Sequence, residues 1–330
     1  MARIFLTHED QARERYYGDK ALARLRALGE VRLNQTGMPL STAQLIDLAR
    51  DCEVIVSYRQ TEGPAAVFGA LPELVAFVRC AVDIRNIDVG AASKHGVLVT
   101  QASPGFIDSV AEICVGFMID LARGVSDATL AYRAGEVPAA RLGVQLAGST
   151  LGIIGYGAIG RRLAGLGLAL TMRVLIDDPY VEVDRPELAK ADLRTLLAES
   201  DFVVVLAVAT EETESLIGAE ELRRMRKGAF LINPSRGNLV DEAALEAALR
   251  EGRIAGCAMD VGRAPDQMPS PHLAKLPNVI ATPHVGGLTP QAIEHQALET
   301  TRQVAEILER RAPQGAVNAE QWSRRKGLGP

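Results

Sequence analysis

The sequence predicts an α/β protein built on two doubly wound parallel sheets. Short β-branched apolar runs alternate with helix-length segments almost from end to end, the pattern of parallel strands covered by helices on both faces. The chain has 330 residues, and single cores stop growing near about 250–300 residues, so two domains are expected. A glycine-rich turn opens the second of two such strand–helix series.

In the first series, strands are expected over residues 3–7, 31–34, 53–57, 74–80 and 97–101. Residues 11–28, with Leu22, Leu25 and Leu28 on one face, read as one amphipathic helix, and 42–50 as another. A long helix follows over about residues 108–135, apolar on more than one side. That character suits burial, a connection between domains or a subunit interface. The second series has strands expected over 150–155, 173–177, 201–207, 229–234, 254–261 and 279–282, with helices over 158–170, 220–225 and 241–251. Six strands after a glycine turn are the content of a doubly wound nucleotide-binding sheet. The last helix, 289–311, comes after that sheet is complete and is expected to cross back to the first domain, making it discontinuous. The tail beyond Pro313 has few apolar residues and reads as loose, with the Arg324-Arg325-Lys326 cluster solvated.

Composition narrows the function. Hydrophobic residues make up 48% and charged residues 23%, ordinary for a globular protein, and the net charge of −5 argues against nucleic acid or an anionic membrane as partner. No run of about 18 apolar residues exists to span a bilayer. The first ten residues lack the basic start and apolar stretch of a secretory leader. Four cysteines, Cys52, Cys80, Cys114 and Cys257, are widely spaced without a C-x-x-C, which argues against a zinc site, a dithiol motif and a disulfide scaffold. A reduced, cytoplasmic protein with no metal is expected.

Residues 150–160 read TLGIIGYGAIG and contain Gly155-x-Gly157-x-x-Gly160. The motif alone is weak in a chain with 30 glycines, but here an apolar strand precedes it, a helix follows, and an acid lies about twenty residues on. Gly155 permits the tight turn, Gly157 lets the backbone approach a pyrophosphate, and Gly160 lets helix and strand pack closely. The N–H groups opening the helix, through Ala158, Ile159 and Gly160, face the pyrophosphate, which the helix dipole also favours. Arg161 and Arg162 follow and either add charge there or remain solvated. Of the acid pair Asp177-Asp178, Asp178 is expected to accept bonds from the adenosine ribose. With no arginine nearby until Arg185, NAD is favoured over NADP.

Several ordered segments now resemble one family, the D-isomer-specific 2-hydroxyacid dehydrogenases. They are Val110-Ala111-Glu112, the glycine turn, DDPY, Thr210-x-Glu212-Thr213, NPSRGNLVDE, Met259-Asp260-Val261 and NVIATPHVGGLT, and the resemblance covers essentially the whole chain. It implies a Rossmann-type NAD domain at 102–285 inserted into a smaller, flavodoxin-like substrate domain formed by 1–101 and 286–330. It also implies a homodimer using the long-helix region and an active site in the interdomain cleft at the strands' carboxyl ends.

The implied reaction moves a hydride between nicotinamide and the hydroxyl-bearing carbon next to a carboxylate. Arg236, just past an apolar strand, is the candidate that grips the acid and polarises the oxygen, because guanidinium forks onto carboxylates and stays charged. His284, in Thr282-Pro283-His284, is the candidate proton donor. His95, His272 and His295 read as packed residues, and His8 stays undecided. By resemblance, Asp260 would hold the nicotinamide carboxamide.

Two departures stand out. Family members pair the histidine with a glutamate whose position here falls on Ala264; Asp266 is the nearest substitute in sequence, and Gln267 is able to orient the ring without charging it. The turn that binds substrate carboxylate through backbone N–H groups corresponds to Ala81, Val82 and Asp83. There Asp83 stands for a glycine and Arg85 for an acid. Either this is a different salt-bridged turn, or Asp83 enters the cleft and changes the substrate. Arg59, Arg79 and Arg85 are the cations available for a second anionic group.

The expected activity is therefore that of a NAD-dependent oxidoreductase of a small D-2-hydroxy acid or 2-oxo acid, of the glyoxylate, hydroxypyruvate or phosphoglycerate type. The competing class is a NAD(H)-binding sensor or corepressor-like module with weak turnover, and a third is a dehydrogenase of formate or phosphite. The missing glutamate favours the sensor; Arg236 and His284 oppose it.

Overall fold

The computed structural model describes residues 1–327. The chain forms two compact units, one from Met1–Gly105 with the chain beyond Pro290, the other from Phe106–Thr289.

The first unit is a five-stranded sheet of β1 (Ala2–Leu6), β2 (Gly29–Leu33), β3 (Val54–Ser57), β4 (Ala76–Arg79) and β5 (Leu98–Thr100), in the order β2-β1-β3-β4-β5. Every pairing is parallel. Side chains alternate across a strand, so each face has its own core. Ile4, Val54, Val56 and Val78 face Leu25, Val304 and Ile307. Phe5, Ile55 and Phe77 face Leu45, Val67 and Phe68.

Two expectations fail here for local reasons. The single helix over 11–28 is two helices, Asp10–Tyr16 and Asp19–Leu28, separated at Gly18, whose φ of +81° glycine adopts without steric cost. The tail is not loose as far as it is described. After the helix Pro290–Leu308 it runs along edge strand β5, where Val317 N–H donates to the Val99 carbonyl at 2.9 Å. Trp322 is buried and donates from Nε1 to the Val75 carbonyl at 3.1 Å. Arg324 is not simply solvated, since Nη1 donates to the carbonyls of Leu71 and Leu74 at 2.6 and 2.8 Å. The tail thus covers a sheet edge that would otherwise present unpaired backbone groups. The Lys326 side chain and residues 328–330 lie outside the described structure.

The second unit is a seven-stranded sheet: β6 (Thr150–Ile154), β7 (Arg173–Asp177), β8 (Ala189–Lys190), β9 (Phe202–Val205), β10 (Phe230–Asn233), β11 (Gly256–Met259) and β12 (Val279–Ala281), in the order β12-β11-β10-β9-β6-β7-β8. All of its pairings are parallel as well. From β6 outward this is the doubly wound nucleotide-binding order with one strand added at the β12 end. The unforeseen strand, β8, is a two-residue exposed edge and carries no apolar signal.

The long apolar helix expected over 108–135 is also two helices. Ile107–Arg123 buries Cys114, Phe117, Met118 and Leu121 against the sheet, and Gly124 (φ +63°) then starts Val125–Arg133, none of whose residues is buried in the described structure. Only the first half is therefore the buried helix that its composition suggests.

Candidate functional site

The glycine turn sits where β6 meets the end of β9. Gly155 has φ of +101°, and a Cβ there would lie 2.6 Å from the Leu206 carbonyl. At Gly160 a Cβ would lie 2.2 Å from the Gly155 carbonyl oxygen, so close helix–strand packing requires glycine. Gly157 is different. Nothing lies within 4 Å of its absent Cβ, and the turn opens onto free space. The helix Ala158–Ala169 begins there, and its first N–H groups have no intrahelical acceptor. A cradle of backbone donors beside unfilled space fits a pyrophosphate.

Asp178 fastens this cradle. Its Oδ2 accepts from Tyr156 N–H at 2.7 Å, and its Oδ1 from Tyr180 and Val181 N–H at 2.9 and 3.1 Å. The carboxylate is thereby fixed at the end of β7 beside the turn. Burial and the adjacent Asp178 push the half-buried Asp177 carboxyl up. Arg161 does not reach into the cradle, because it lies over the Tyr156 ring and binds Asp184 at 2.7 Å. Arg162 is held by Asp108 at 2.5 Å.

Arg236, Asp260 and His284 follow the carboxyl ends of the neighbouring strands β10, β11 and β12. Ser235 Oγ donates to the Val205 carbonyl at 2.9 Å, and Asn233 Nδ2 to the Arg236 carbonyl at 2.8 Å, which locks the turn carrying Arg236. Arg236 is half-buried, with Nη1 on the Ser235 carbonyl at 2.7 Å. Asp260 is buried and organises the histidine loop. Its carboxylate accepts from Thr282 Oγ1 at 2.6 Å, Val285 N–H at 2.8 Å and Gly286 N–H at 2.7 Å. Its carbonyl accepts from His284 N–H at 3.0 Å. Sequence reasoning missed this loop-anchoring role, although an acid at a strand end before a T-P-H-x-G-G turn is a usable signal for it.

His284 adopts φ of +53°, a left-handed conformation unusual for a residue with a Cβ, which Asp260 holds in place. Among the described residues its ring meets no carboxylate. Nδ1 faces the main-chain carbonyl of Asp266 at 3.4 Å. Gln267 does not orient the ring either; its Oε1 is buried without a partner. Asp266 and Gln267 both have positive φ, 58° and 61°, which turns the carbonyl between them toward the histidine.

In the first unit, Ala81, Val82 and Asp83 follow β4 as expected, and Asp83 is part of a salt-bridged turn. Arg85 donates to it from Nε at 3.0 Å and from Nη2 at 2.6 Å. His8 is fully buried, packed between the rings of Tyr17 and Tyr58 at 5.1 and 4.9 Å, with neither ring nitrogen hydrogen-bonded. Burial, then the charge of Arg79, push its pKa down to about 3, so it is neutral. Among the other histidines, His295 bonds Ser103 Oγ at 2.8 Å and His272 lies 3.7 Å from Glu246. His95 closes the Val89–Lys94 helix. Among the described residues no cluster of three or more potential metal ligands occurs, and no helix is long and apolar enough to cross a membrane.

Comparison with known proteins places this geometry in context. Residues 115–286 match the family described as D-isomer specific 2-hydroxyacid dehydrogenase, NAD binding domain. The chain is 33% identical over 329 residues to a glyoxylate reductase of Korarchaeum cryptofilum, covering 96% of each. It is 37% identical over 262 residues to a D-3-phosphoglycerate dehydrogenase of Archaeoglobus fulgidus, covering 78% of this chain but only 49% of that protein. The chain thus spans about half the length of that relative. Among solved structures it superposes on a D-2-hydroxyisocaproate dehydrogenase with a TM-score of 0.87 at 21% identity, covering 96% of this chain and all of the other.

Proposed function

Since this chain belongs to the D-isomer specific 2-hydroxyacid dehydrogenase family and carries its NAD-binding domain, we propose that it is a NAD-dependent oxidoreductase of a small D-2-hydroxy acid or its 2-oxo acid. The observation that carries this reading is one sheet bearing both an open glycine cradle and, at neighbouring strand ends, Arg236 and a histidine loop tied down by Asp260.

Each residue has a defined task. The cradle from Gly155 through Ala158, Ile159 and Gly160 binds the pyrophosphate, and Asp178, with one of its about four acceptor positions left by the turn, accepts from a ribose hydroxyl. Its negative charge disfavours a 2′-phosphate. Bound NADH supplies the hydride. Arg236 forks onto the substrate's carboxylate and polarises the carbonyl oxygen. His284 gives that oxygen its proton in reduction and takes it back in oxidation. With Nδ1 on a carbonyl, the ring presents Nε2 to the substrate. Asp260, with three of its about four acceptor positions filled by the loop, keeps one for the nicotinamide carboxamide. The backbone of Ala81, Val82 and Asp83 binds the substrate carboxylate.

The reading extends to assembly and location. The segment after Gly124 exposes Leu130, Tyr132, Val137 and Leu142, and a second copy of this chain covers these side chains in a homodimer. The four cysteines are buried free thiols, in keeping with a reducing cytoplasm. The net charge of −5 is unsuited to nucleic acid.

The experiment is NADH oxidation against glyoxylate, hydroxypyruvate, pyruvate and 3-phosphohydroxypyruvate, with NADPH as control. Turnover of at least one acid with NADH supports the reading. Tight NADH binding without turnover of any of them replaces it with the sensor class.

A further inference from the structure

Arg79 ends β4, separated from the Ala81–Asp83 turn by Cys80 alone, and none of its surface reaches solvent. Its guanidinium meets only neutral acceptors. Nη1 donates to the Tyr58 carbonyl, and Nη2 donates to the Thr61 carbonyl at 2.9 Å and to Asn86 Oδ1 at 2.6 Å. Nε has no partner. Burial pushes its pKa down to about 10, so it stays charged near neutrality. A buried charge without a counter-ion is costly, and proteins seldom keep one that has no use. The acid whose field reaches it is Asp83, in the turn itself, and that carboxylate is already forked by Arg85. The neighbouring His8 is neutral and adds no charge. Arg79 and Arg85 thus set two positive charges against the single carboxylate of Asp83.

We propose that Arg79 is a specificity-determining residue whose buried positive charge draws the substrate's carboxylate to the Ala81–Asp83 turn, with the bound substrate serving as its counter-ion. This rests on the reading above that the turn receives the carboxylate. Arg79 acts through its field and touches no reacting atom, so its role differs from that of Arg236. A purely structural arginine, tying the Tyr58–Thr61 segment to Asn86, would have no such influence on a charged substrate.

Asn86→Asp separates the two. The change is isosteric and places a full negative charge on the atom that already accepts from Arg79. Parent and variant are compared with pyruvate and with methyl pyruvate, its uncharged counterpart, alongside thermal midpoints. The expected result is a KM for pyruvate raised about ten-fold, the scale of one screened charge pair. The kcat for pyruvate and the kinetics with methyl pyruvate should change little, and the thermal midpoint should not fall, because the new carboxylate gives the buried guanidinium a counter-ion. Arg79→Lys keeps the charge and should hold the pyruvate KM within about three-fold of the parent, again a sub-kcal effect; if that variant does not fold, Asn86→Asp decides alone. An unchanged pyruvate KM in Asn86→Asp, or an equal rise for the ester, overturns the proposal and leaves the dehydrogenase reading intact. Absence of turnover by the parent on either compound and on the wider acid panel overturns both.

Discussion

The two sheets are wound alike, yet their crevices are built in opposite ways. Doubly wound sheets part at a switch point, where successive connections leave toward opposite edges and a ligand can enter. In the Phe106–Thr289 unit that point lies between β6 and β9, and the Gly155 turn lies against Leu206 there with Gly157 facing open space. In the other unit it lies between β1 and β3, where the rings of His8 and Tyr58 pack 4.9 Å apart and Arg79 is sealed beneath. Topology supplies a crevice in both. Side chains decide whether it stays open, as at Gly157, or is filled, as at His8 and Tyr58.

The filled crevice makes the largest prediction. His8 is neutral when folded, with a pKa near 3, against an ordinary value of 6.5. Its folded pKa is depressed, so the unfolded chain binds the extra proton first. Stability from the neutral ring is complete above pH 6.5 and is lost as pH falls toward 3, at up to about 1.4 kcal/mol per pH unit. Urea unfolding of the parent and of His8→Phe between pH 7 and 4 checks this. The variant should lose less stability on acidification, and parallel profiles would mean that the ring is not sealed.

On the open side, Arg236→Lys keeps charge but loses the fork, and kcat/KM should fall about 10²-fold. Near-normal turnover would move the substrate elsewhere. Asp178→Ala should narrow the preference for NADH over NADPH by about ten-fold, the worth of one charge-assisted hydrogen bond, read from KM ratios. The smallest expected effect is none at all. Because His284 meets the Asp266 carbonyl, Asp266→Asn should leave the pH profile of reductive kcat/KM in place, and a displaced profile would assign the missing glutamate's role to that carboxylate.

What was legible followed from locality. Glycines at 155, 157 and 160 act through their own backbone, so spacing and a following acid were enough to read them. Strand runs were legible because both faces of a parallel sheet are apolar. Arg79 was legible only as one of three available cations, since arginine is ordinarily exposed and its burial depends on bonds to Tyr58, Thr61 and Asn86 that sequence does not show. The partner of His284 was also hidden, because a main-chain carbonyl belongs to every residue and its direction depends on the positive φ of Asp266 and Gln267. The tail misled because one Trp322 among polar residues gives no periodicity, yet it closes a sheet edge.

The second sheet's crevice is open at Gly157, where a dinucleotide's pyrophosphate would lie. That glycine's φ of −73° and ψ of −163° suit any residue, and its absent Cβ would touch nothing within 4 Å. Gly157→Val should therefore fold as the parent does while its side chain occupies the pyrophosphate's place. The measurement is the Kd for NADH by titration calorimetry, with the thermal midpoint of the free protein beside it. The expected result is an unchanged midpoint and a Kd weakened about 100-fold or more, because the backbone can no longer approach the phosphates. A variant that binds NADH as tightly as the parent would contradict it.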